Sequence, residues 1–244
     1  MRKVLTVLMV VAVFIVSAMG FIGCDGNGDK SLEEQLNELT KVSDKEWQER
    51  FEWGDCKNYT YTTVHWRKYA ATKNDSDKKV EYDSYLTDYF DVENKQSFTV
   101  QSIQIKTEGY TVDDLDLKYE KIEYASYYKR IETRDYLISF DKEKNKYVAT
   151  QTDFAMYGET KLDFLKTYKL LGSMYEFDGE SKEYKMKTDY SDIPFMDKVT
   201  VSFPKSGGVM INTYIEGLKS FSVYYSNKNK TSVNIPEYDM KTED

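Results

Sequence analysis

The chain has 244 residues, of which 42 are acidic and 34 are basic, so its formal net charge is −8 at neutral pH. Such a surface repels phosphate backbones and anionic headgroups, so we expect the folded part to bind neither nucleic acid nor anionic lipid directly. With two cysteines and one histidine, stability must come from packing, and a histidine-rich metal site is excluded.

The first 23 residues have the pattern of an export signal. Arg2 and Lys3 precede an uncharged run, Val4–Gly23, that is rich in valine, leucine, isoleucine, methionine and phenylalanine. A basic segment followed by an apolar run directs a chain out of the cytoplasm. We predict that residues 1–23 are a signal peptide. Its removal takes away two positive charges and changes the formal net charge from −8 to −10.

The end of this run, Phe21-Ile22-Gly23-Cys24, resembles the lipobox of bacterial lipoproteins, although leucine is usual where Phe21 stands. The resemblance implies that the lipoprotein signal peptidase recognises Phe21, Ile22 and Gly23 and that Cys24 carries the lipid. Residues 24–30 are then a polar, lipidated tether to an extracytoplasmic domain on the bacterial cell membrane. Two alternatives remain, namely ordinary cleavage near Ala18-Met19-Gly20 and an uncleaved membrane-spanning anchor.

Two short helices follow the tether. Ser31-Leu32-Glu33-Glu34 and Ser43-Asp44-Lys45-Glu46 both fit the capping box, in which the serine and the glutamate each satisfy a free backbone amide. In the second helix Trp47 and Phe51 form an apolar pair, and Gly54 supplies a stop. We expect this helix to pack its aromatic side chains onto a sheet.

Period-two patterns of aromatic and β-branched residues then predict strands, and in the C-terminal part they predict a meander with one covered face and one face in water. A hairpin is predicted from Tyr136–Phe140 into Tyr147–Gln151, and residues 112–130 fit either a helix or a strand. Glu159–Leu171 has the apolar spacing of a helix and is followed by Gly172. The other predicted strands are Asn58–Trp66, Val80–Val92, Phe98–Ile105 and six around Tyr175 and Phe177, Tyr184 and Met186, Val199–Phe203, Val209–Ile215, Phe221–Tyr225, and Val233 and Ile235.

These patterns predict one mainly β (α+β) domain over residues 31–244. Its few helices cannot cover a flat sheet of about eleven strands, so we predict a curved antiparallel half-barrel with short helices across its concave face. Such a sheet encloses apolar space. Many of the 22 tyrosines would line that space or fill the half-buried face of the sheet.

The whole pattern resembles the bacterial lipoprotein and lipoprotein-carrier (Lol-type half-barrel) superfamily, and most of all small uncharacterised lipoproteins of Gram-positive bacteria. That resemblance implies a half-barrel that binds acyl chains or other apolar ligands, and it supplies no catalytic residues. The segments that carry it are Val42–Trp47 with Asn58–Thr60, Tyr175–Asp178 with Tyr184, and Tyr224–Ser226 with Thr231–Pro236.

Residues with catalytic chemistry are sparse. His65 is the single histidine and lies in a predicted strand, and Cys56 has no partner after processing, so we expect a small buried side chain there. Ser206-Gly207-Gly208 is typical of a hairpin turn, not of a phosphate loop. Asp113-Asp114 with Asp116 could bind a cation or serve in acid–base chemistry, but a solvated loop is the plainer interpretation. We predict no enzyme activity, no metal and no cofactor.

Three functions from different classes follow from the sequence. The first is a membrane-anchored, non-catalytic binding module for a lipid or other apolar ligand, which requires a concave apolar cavity. The second is an envelope protein that docks another protein or a glycan through an exposed sheet edge or aromatic patch. The third is a hydrolase, which requires two converging carboxyl groups with raised pKa values. Ligand, partner and oligomeric state are not encoded in any motif.

Overall fold

The computed structural model describes residues 32–117, 126–153, 157–187 and 198–241. The predicted signal peptide, the predicted lipidation residue Cys24 and the predicted tether lie outside these ranges, as does part of the segment 112–130. None of the helices in the described ranges has the length and apolar character that a membrane crossing requires.

Within the described residues, twelve strands form one open sheet in the order β12-β6-β5-β4-β3-β2-β1-β11-β10-β9-β8-β7. Neighbouring strands are antiparallel, except that β12 pairs with β6 in parallel. The strands are β1 (Asn58–Ala71), β2 (Lys79–Asp91), β3 (Gln96–Ile105), β4 (Ser126–Ile131), β5 (Arg134–Asp141), β6 (Lys146–Gln151), β7 (Tyr175–Phe177), β8 (Tyr184–Met186), β9 (Val199–Ser202), β10 (Val209–Ile215), β11 (Leu218–Ser226) and β12 (Tyr238–Met240).

The mainly β, antiparallel half-barrel predicted from the sequence is confirmed. Strand β1 lies at the centre and pairs with β2 on one side and with β11 on the other. The N-terminal and C-terminal halves of the chain therefore share one sheet. A bulge between His65 and Lys68, with Arg67 in the left-handed region at φ 53°, lets β1 run five residues beyond Trp66.

In the part of the chain that the structure describes, three α-helices accompany the sheet, namely α1 (Leu32–Asn37), α2 (Asp44–Arg50) and α3 (Glu159–Leu170). The capping box predicted for α2 is confirmed, because the Ser43 amide donates to the Glu46 carboxylate at 2.8 Å and the Glu46 amide donates to the Ser43 hydroxyl at 3.2 Å. Helix α2 ends at Arg50, before the expected stop at Gly54.

The helices lie on both faces of the sheet. Tyr59 and Tyr61 of β1 belong to the face that packs against α2 and α3, which we call the front face. Val64 belongs to the opposite, back face, because successive strand residues point in opposite directions. On the back face Leu36 of α1 packs with Val64 and Tyr85. Helix α1 therefore lies apart from the two helices of the front face.

The C-terminus differs from the prediction. Val233 and Ile235 do not form a strand, because hydrogen bonds hold the turn that follows β11 against the start of β1. The Asn229 amide donates to the Asn58 carbonyl at 2.8 Å, and the Thr231 amide donates to the Asn58 side-chain oxygen, also at 2.8 Å. The chain then continues to the far edge of the sheet, where β12 pairs with β6.

The sequence did not decide between a helix and a strand for residues 112–130. The structure describes residues 112–117 and 126–130 of this segment. Val112–Asp114 forms a single 3₁₀ turn, and β4 begins at Ser126. Around that turn, Leu115 and Leu117 pack on Val80 and Tyr82. The segment thus covers one end of the front face, while α2 and α3 cover the other.

Candidate functional site

The residues singled out in the sequence do not come together in the described structure. His65 is exposed, and its ring contacts Phe221 with centroids 5.1 Å apart. Cys56 is buried as expected, its thiol donates to the Asn58 carbonyl at 3.1 Å, and burial raises the pKa of that thiol. Cys24 lies outside the described residues.

The acidic residues of the 3₁₀ turn have a structural use. The Asp114 carboxylate accepts from the Thr111 amide at 2.7 Å and from the Thr111 hydroxyl at 2.8 Å, which lowers the pKa of Asp114. The backbone carbonyl of Asp113, not its carboxylate, accepts from the Lys73 ammonium. Across the described ranges, no group of acidic, histidine or cysteine side chains is arranged to hold a metal ion.

Aromatic rings fill the space between α2 and the front face. Trp47 has ring contacts at 5.1 to 5.7 Å with Phe51, Tyr175, Tyr184 and Phe203. Each of these five residues is at most 8% exposed. Protein side chains thus fill the part of the predicted apolar space that lies beneath this helix.

Tyrosine hydroxyls explain why the core uses so many tyrosines. The Tyr184 hydroxyl donates to the Val42 carbonyl at 2.6 Å and accepts from the Val42 amide at 2.8 Å. The Tyr59 hydroxyl donates to the Gly158 carbonyl at 2.6 Å, and the Tyr225 hydroxyl donates to the Lys161 carbonyl at 3.0 Å. The rings fill the core while the hydroxyls bind the backbone at the starts of α2 and α3.

Gly158 lets α3 approach the sheet closely. Its φ of 91° is a conformation that glycine adopts without strain, and a Cβ there would stand 2.6 Å from the Tyr59 hydroxyl and 2.8 Å from Phe90. Helix α3 consequently begins directly over β1 and β2. This position brings Lys161, two residues into the helix, over the ring of Tyr61 at 4.8 Å.

Beyond α3 the front face carries a band of polar side chains, which we call the polar strip. It lies between α3 and the segment around Leu115, and it crosses three neighbouring strands. Direct register pairs join its members, because Thr63 faces Leu86, His65 faces Ser84, Leu86 faces Gln101 and Asp88 faces Thr99. The strip consists of Thr63, His65, Ser84, Leu86, Asp88, Thr99 and Gln101.

Asp88 is the buried carboxyl group of the polar strip. It is 4% exposed, and its Oδ1 accepts from the Thr99 hydroxyl at 2.6 Å. Burial raises the pKa of Asp88, against the opposing effects of the Thr99 hydrogen bond and the Lys161 charge. A carboxylate in water commonly accepts several hydrogen bonds, so one protein donor leaves acceptor capacity for a ligand.

Two tyrosines flank this carboxyl group. Tyr61 is the register partner of Asp88 on β1. Tyr128 lies on the front face of β4, where it pairs with Ser97. Burial is the main cause of the raised pKa of each phenol, and the charge of Asp88 raises both further. Both phenols therefore stay protonated and remain hydrogen-bond donors at neutral pH.

The back face holds a second buried carboxylate, at Glu183, in a group we call the back cluster. Glu183 is 2% exposed and accepts from the Thr200 hydroxyl, from the Tyr214 hydroxyl at 2.9 Å and from the Lys219 ammonium at 2.6 Å. Asn212 adds a longer contact at 3.3 Å. The hydrogen bonds of this cluster are made among protein groups.

The back cluster was not expected from the sequence. The alternation of apolar and polar residues in the C-terminal strands predicted one covered face and one face in water. That prediction is wrong for the back face, where Ser202, Asn212 and Ser222 are fully buried. The Trp66 indole donates to Ser222 at 2.7 Å, and Ser222 donates to Asn212 at 2.7 Å, so the polar groups are satisfied by one another.

A comparison with models of known protein families finds no match to this chain, and a comparison with curated proteins finds none either. The resemblance to the lipoprotein-carrier superfamily therefore stays a prediction.

Proposed function

We propose that this protein is a lipid-anchored, extracytoplasmic binding module, without catalytic activity, that holds its ligand on the front face of the half-barrel. The observation that carries the binding proposal is Asp88, a buried carboxyl group on the front face with one protein donor among the described residues. A buried carboxyl group that keeps capacity for further hydrogen bonds favours a ligand site on the face that carries it.

The N-terminal sequence supports the anchor. A basic start, an apolar run and Cys24 directly after Gly23 have the order that lipidation requires. Several acyl chains on one cysteine hold a soluble domain at a membrane durably, because each buried methylene contributes about 0.8 kcal/mol. We expect palmitate to label the full chain and not the variant Cys24→Ala. Labelling of that variant, or a mature N-terminus other than residue 24, would contradict the anchor.

The ligand is tested separately from the anchor. We expect native mass spectrometry of the purified full chain to detect a bound small molecule, which Asp88→Asn loses while it keeps the circular dichroism spectrum of the wild type. The apolar ligand predicted from the sequence stays a prediction, and lipid extraction of the same sample tests it. If no bound molecule is recovered, and neither a fluorescent fatty acid nor any saccharide is taken up, the proposal of a binding module is contradicted.

The β10–β11 hairpin favours a second function, the docking of another envelope protein. At its tip Ile215 and Leu218 are 58% and 54% exposed, and they face each other across the Glu216-Gly217 turn. The edge strands β7 and β12 have three residues each and offer little backbone for strand addition. In vivo crosslinking from Leu218 tests this function, and the absence of any crosslinked partner would count against it.

A further inference from the structure

One end of the sheet carries most of the exposed apolar side chains. At this end, which we call the hairpin end, β1 turns into β2 and β10 turns into β11. Of the seven large apolar side chains that are exposed among the described residues, four lie here with exposed fractions of 38 to 60%, namely Tyr69, Val112, Ile215 and Leu218. Exposed apolar side chains that gather in one region indicate a surface that contacts something other than water.

The strand registers show that these side chains share one end of the sheet. Strands β1 and β11 are antiparallel, and His65 faces Phe221. Leu218 therefore lies beyond Phe221 on the side toward which β1 continues from His65 to Tyr69. The 3₁₀ turn that holds Val112 lies at this end too, because an isolated bridge joins the residue after it to the loop that follows β1.

Helix α1, the first described element of the chain, also begins at the hairpin end. The Glu33 carboxylate in its first turn accepts from the ammonium of Lys106 at 2.6 Å, and Lys106 directly follows β3. The register of β2 with β3 places that end of β3 beside the start of β2. Leu32 is eight residues beyond Cys24, and a chain of eight residues spans at most about 28 Å. A lipid on Cys24 would therefore keep this end of the sheet close to the bilayer.

The charges at the hairpin end are of both signs. In the turn between β1 and β2, Lys73, Lys78 and Lys79 are exposed. The same turn exposes Asp75 and Asp77. Attraction to anionic headgroups is therefore not the force that would hold this end at a membrane. Apolar contact fits better, and a tyrosine suits the membrane surface because its ring is apolar and its hydroxyl stays in water.

We propose that the hairpin end lies on the bilayer that holds the lipid anchor, with Ile215 and Leu218 immersed among the headgroups. This inference rests on the proposed anchor and adds the orientation of the folded domain to it. Two aliphatic side chains bind a bilayer weakly by themselves, but the anchor makes the contact intramolecular, so weak binding is sufficient. The short tether favours the bilayer over a protein as the partner of this tip, because the bilayer is always within reach.

The test places a fluorophore at the hairpin end of the full-length, lipidated protein in phosphatidylcholine vesicles. Leu218→Cys, in a Cys56→Ala background, is labelled with the environment-sensitive dye NBD. We expect its emission to lie at shorter wavelength than in water and to be quenched by nitroxide-labelled lipids in the same vesicles. Tyr69→Cys, on the neighbouring strand, should give the same result. The matched control is Leu170→Cys, at an 81% exposed leucine of α3, whose dye should not be quenched.

Flotation of the vesicles in a density gradient distinguishes two kinds of failure. If the wild type does not float with the vesicles, the lipid anchor is contradicted and this inference falls with it. If the protein floats but the nitroxide lipids quench the dye at neither Leu218 nor Tyr69, the anchor stands and the orientation is overturned. Equal quenching at Leu170 and Leu218 would also overturn the orientation. A protein that crosslinks to position 218 in vivo, while the dye there stays unquenched, would assign the hairpin end to a protein partner instead.

Discussion

Asp88 on the front face and Glu183 on the back face are both buried carboxyl groups, at 4% and 2% exposure, but their surroundings differ. Glu183 accepts from several donors and faces the Lys219 ammonium at 2.6 Å. Asp88 accepts from Thr99, and burial raises its pKa. A carboxylate satisfied by protein groups holds a fold together, whereas one left with acceptor capacity is suited to bind something else.

The largest effect should follow from Glu183→Ala. The substitution leaves Lys219, the buried Thr200 hydroxyl and the half-buried Tyr214 hydroxyl without their shared acceptor. We expect the free energy of unfolding, measured by urea denaturation, to fall by about 3 to 5 kcal/mol. Glu180→Ala, an exposed glutamate three residues earlier, is the control and should change it by less than about 0.5 kcal/mol. A loss below about 1 kcal/mol for Glu183→Ala would mean that the back cluster does not stabilise the fold.

Asn212→Ala should have the second largest effect. Asn212 is fully buried, accepts from Ser222 and donates to Ser202 at 3.1 Å, so its loss leaves two hydroxyls of the back cluster short of a partner. We expect destabilisation by about 1 to 3 kcal/mol in the same urea experiment. An unchanged urea midpoint would show that water replaces the amide.

Glu183→Ala should lower the free energy of unfolding, whereas Asp88→Asn should raise it relative to the wild type as pH rises. A carboxyl group whose pKa is raised on folding binds its proton more tightly in the folded state, so its contribution to stability falls as pH rises from its ordinary value through the raised one. The asparagine removes this dependence. We therefore expect the variant to gain stability relative to the wild type as pH rises from about 3 to 7. Urea unfolding at several pH values measures the gain, and a difference independent of pH would contradict it.

Thr99→Val should give the smallest change in stability. It removes the hydrogen bond from the Thr99 hydroxyl to Asp88 but keeps the shape of the side chain. We expect a loss of about 1 kcal/mol at neutral pH and a smaller loss at acid pH, where Asp88 is protonated. Thr87→Val, at a buried hydroxyl on the back face of β2, serves as control and should show no such dependence on pH. If both variants had the same pH profile, the contribution of the Thr99 hydrogen bond would not depend on the ionisation of Asp88.

The sequence was enough to predict the strands and the capped helix, because these depend on local signals. Period-two patterns located most strands, and Ser43 with Glu46 located the start of α2. Local signals could not show that Val233 and Ile235 leave the sheet, because Asn58, far away in sequence, holds the preceding turn. They also could not place α1 on the back face, where Leu36 packs with residues from four distant strands.

The residues of the candidate site could not be identified from the sequence alone. Asp88 stands between tyrosines and threonines in a strand, and the sequence does not distinguish it from Asp83 or Asp91 of the same strand. Because alternate residues of β2 lie on opposite faces of the sheet, Asp88 lies on the other face from Asp83 and Asp91. This identifies Asp88 only when it is known which face is which. Its pairing with Thr99 then follows from the β2–β3 register. Lys161 comes from a helix that the sequence placed correctly along the chain but not over a particular strand.

The central position of β1 has a consequence for how the chain acquires its structure. One edge of β1 pairs with β2, the next strand to be synthesised, while its other edge pairs with β11, near the end of the chain. A chain that emerges N-terminus first, from the ribosome or from an export channel, cannot complete this pairing until Ser226 has emerged opposite Thr60. During that interval the middle of the sheet is an unpaired template for other strands. Folding should therefore be slow, and it should depend on chaperones that shield the unpaired strands.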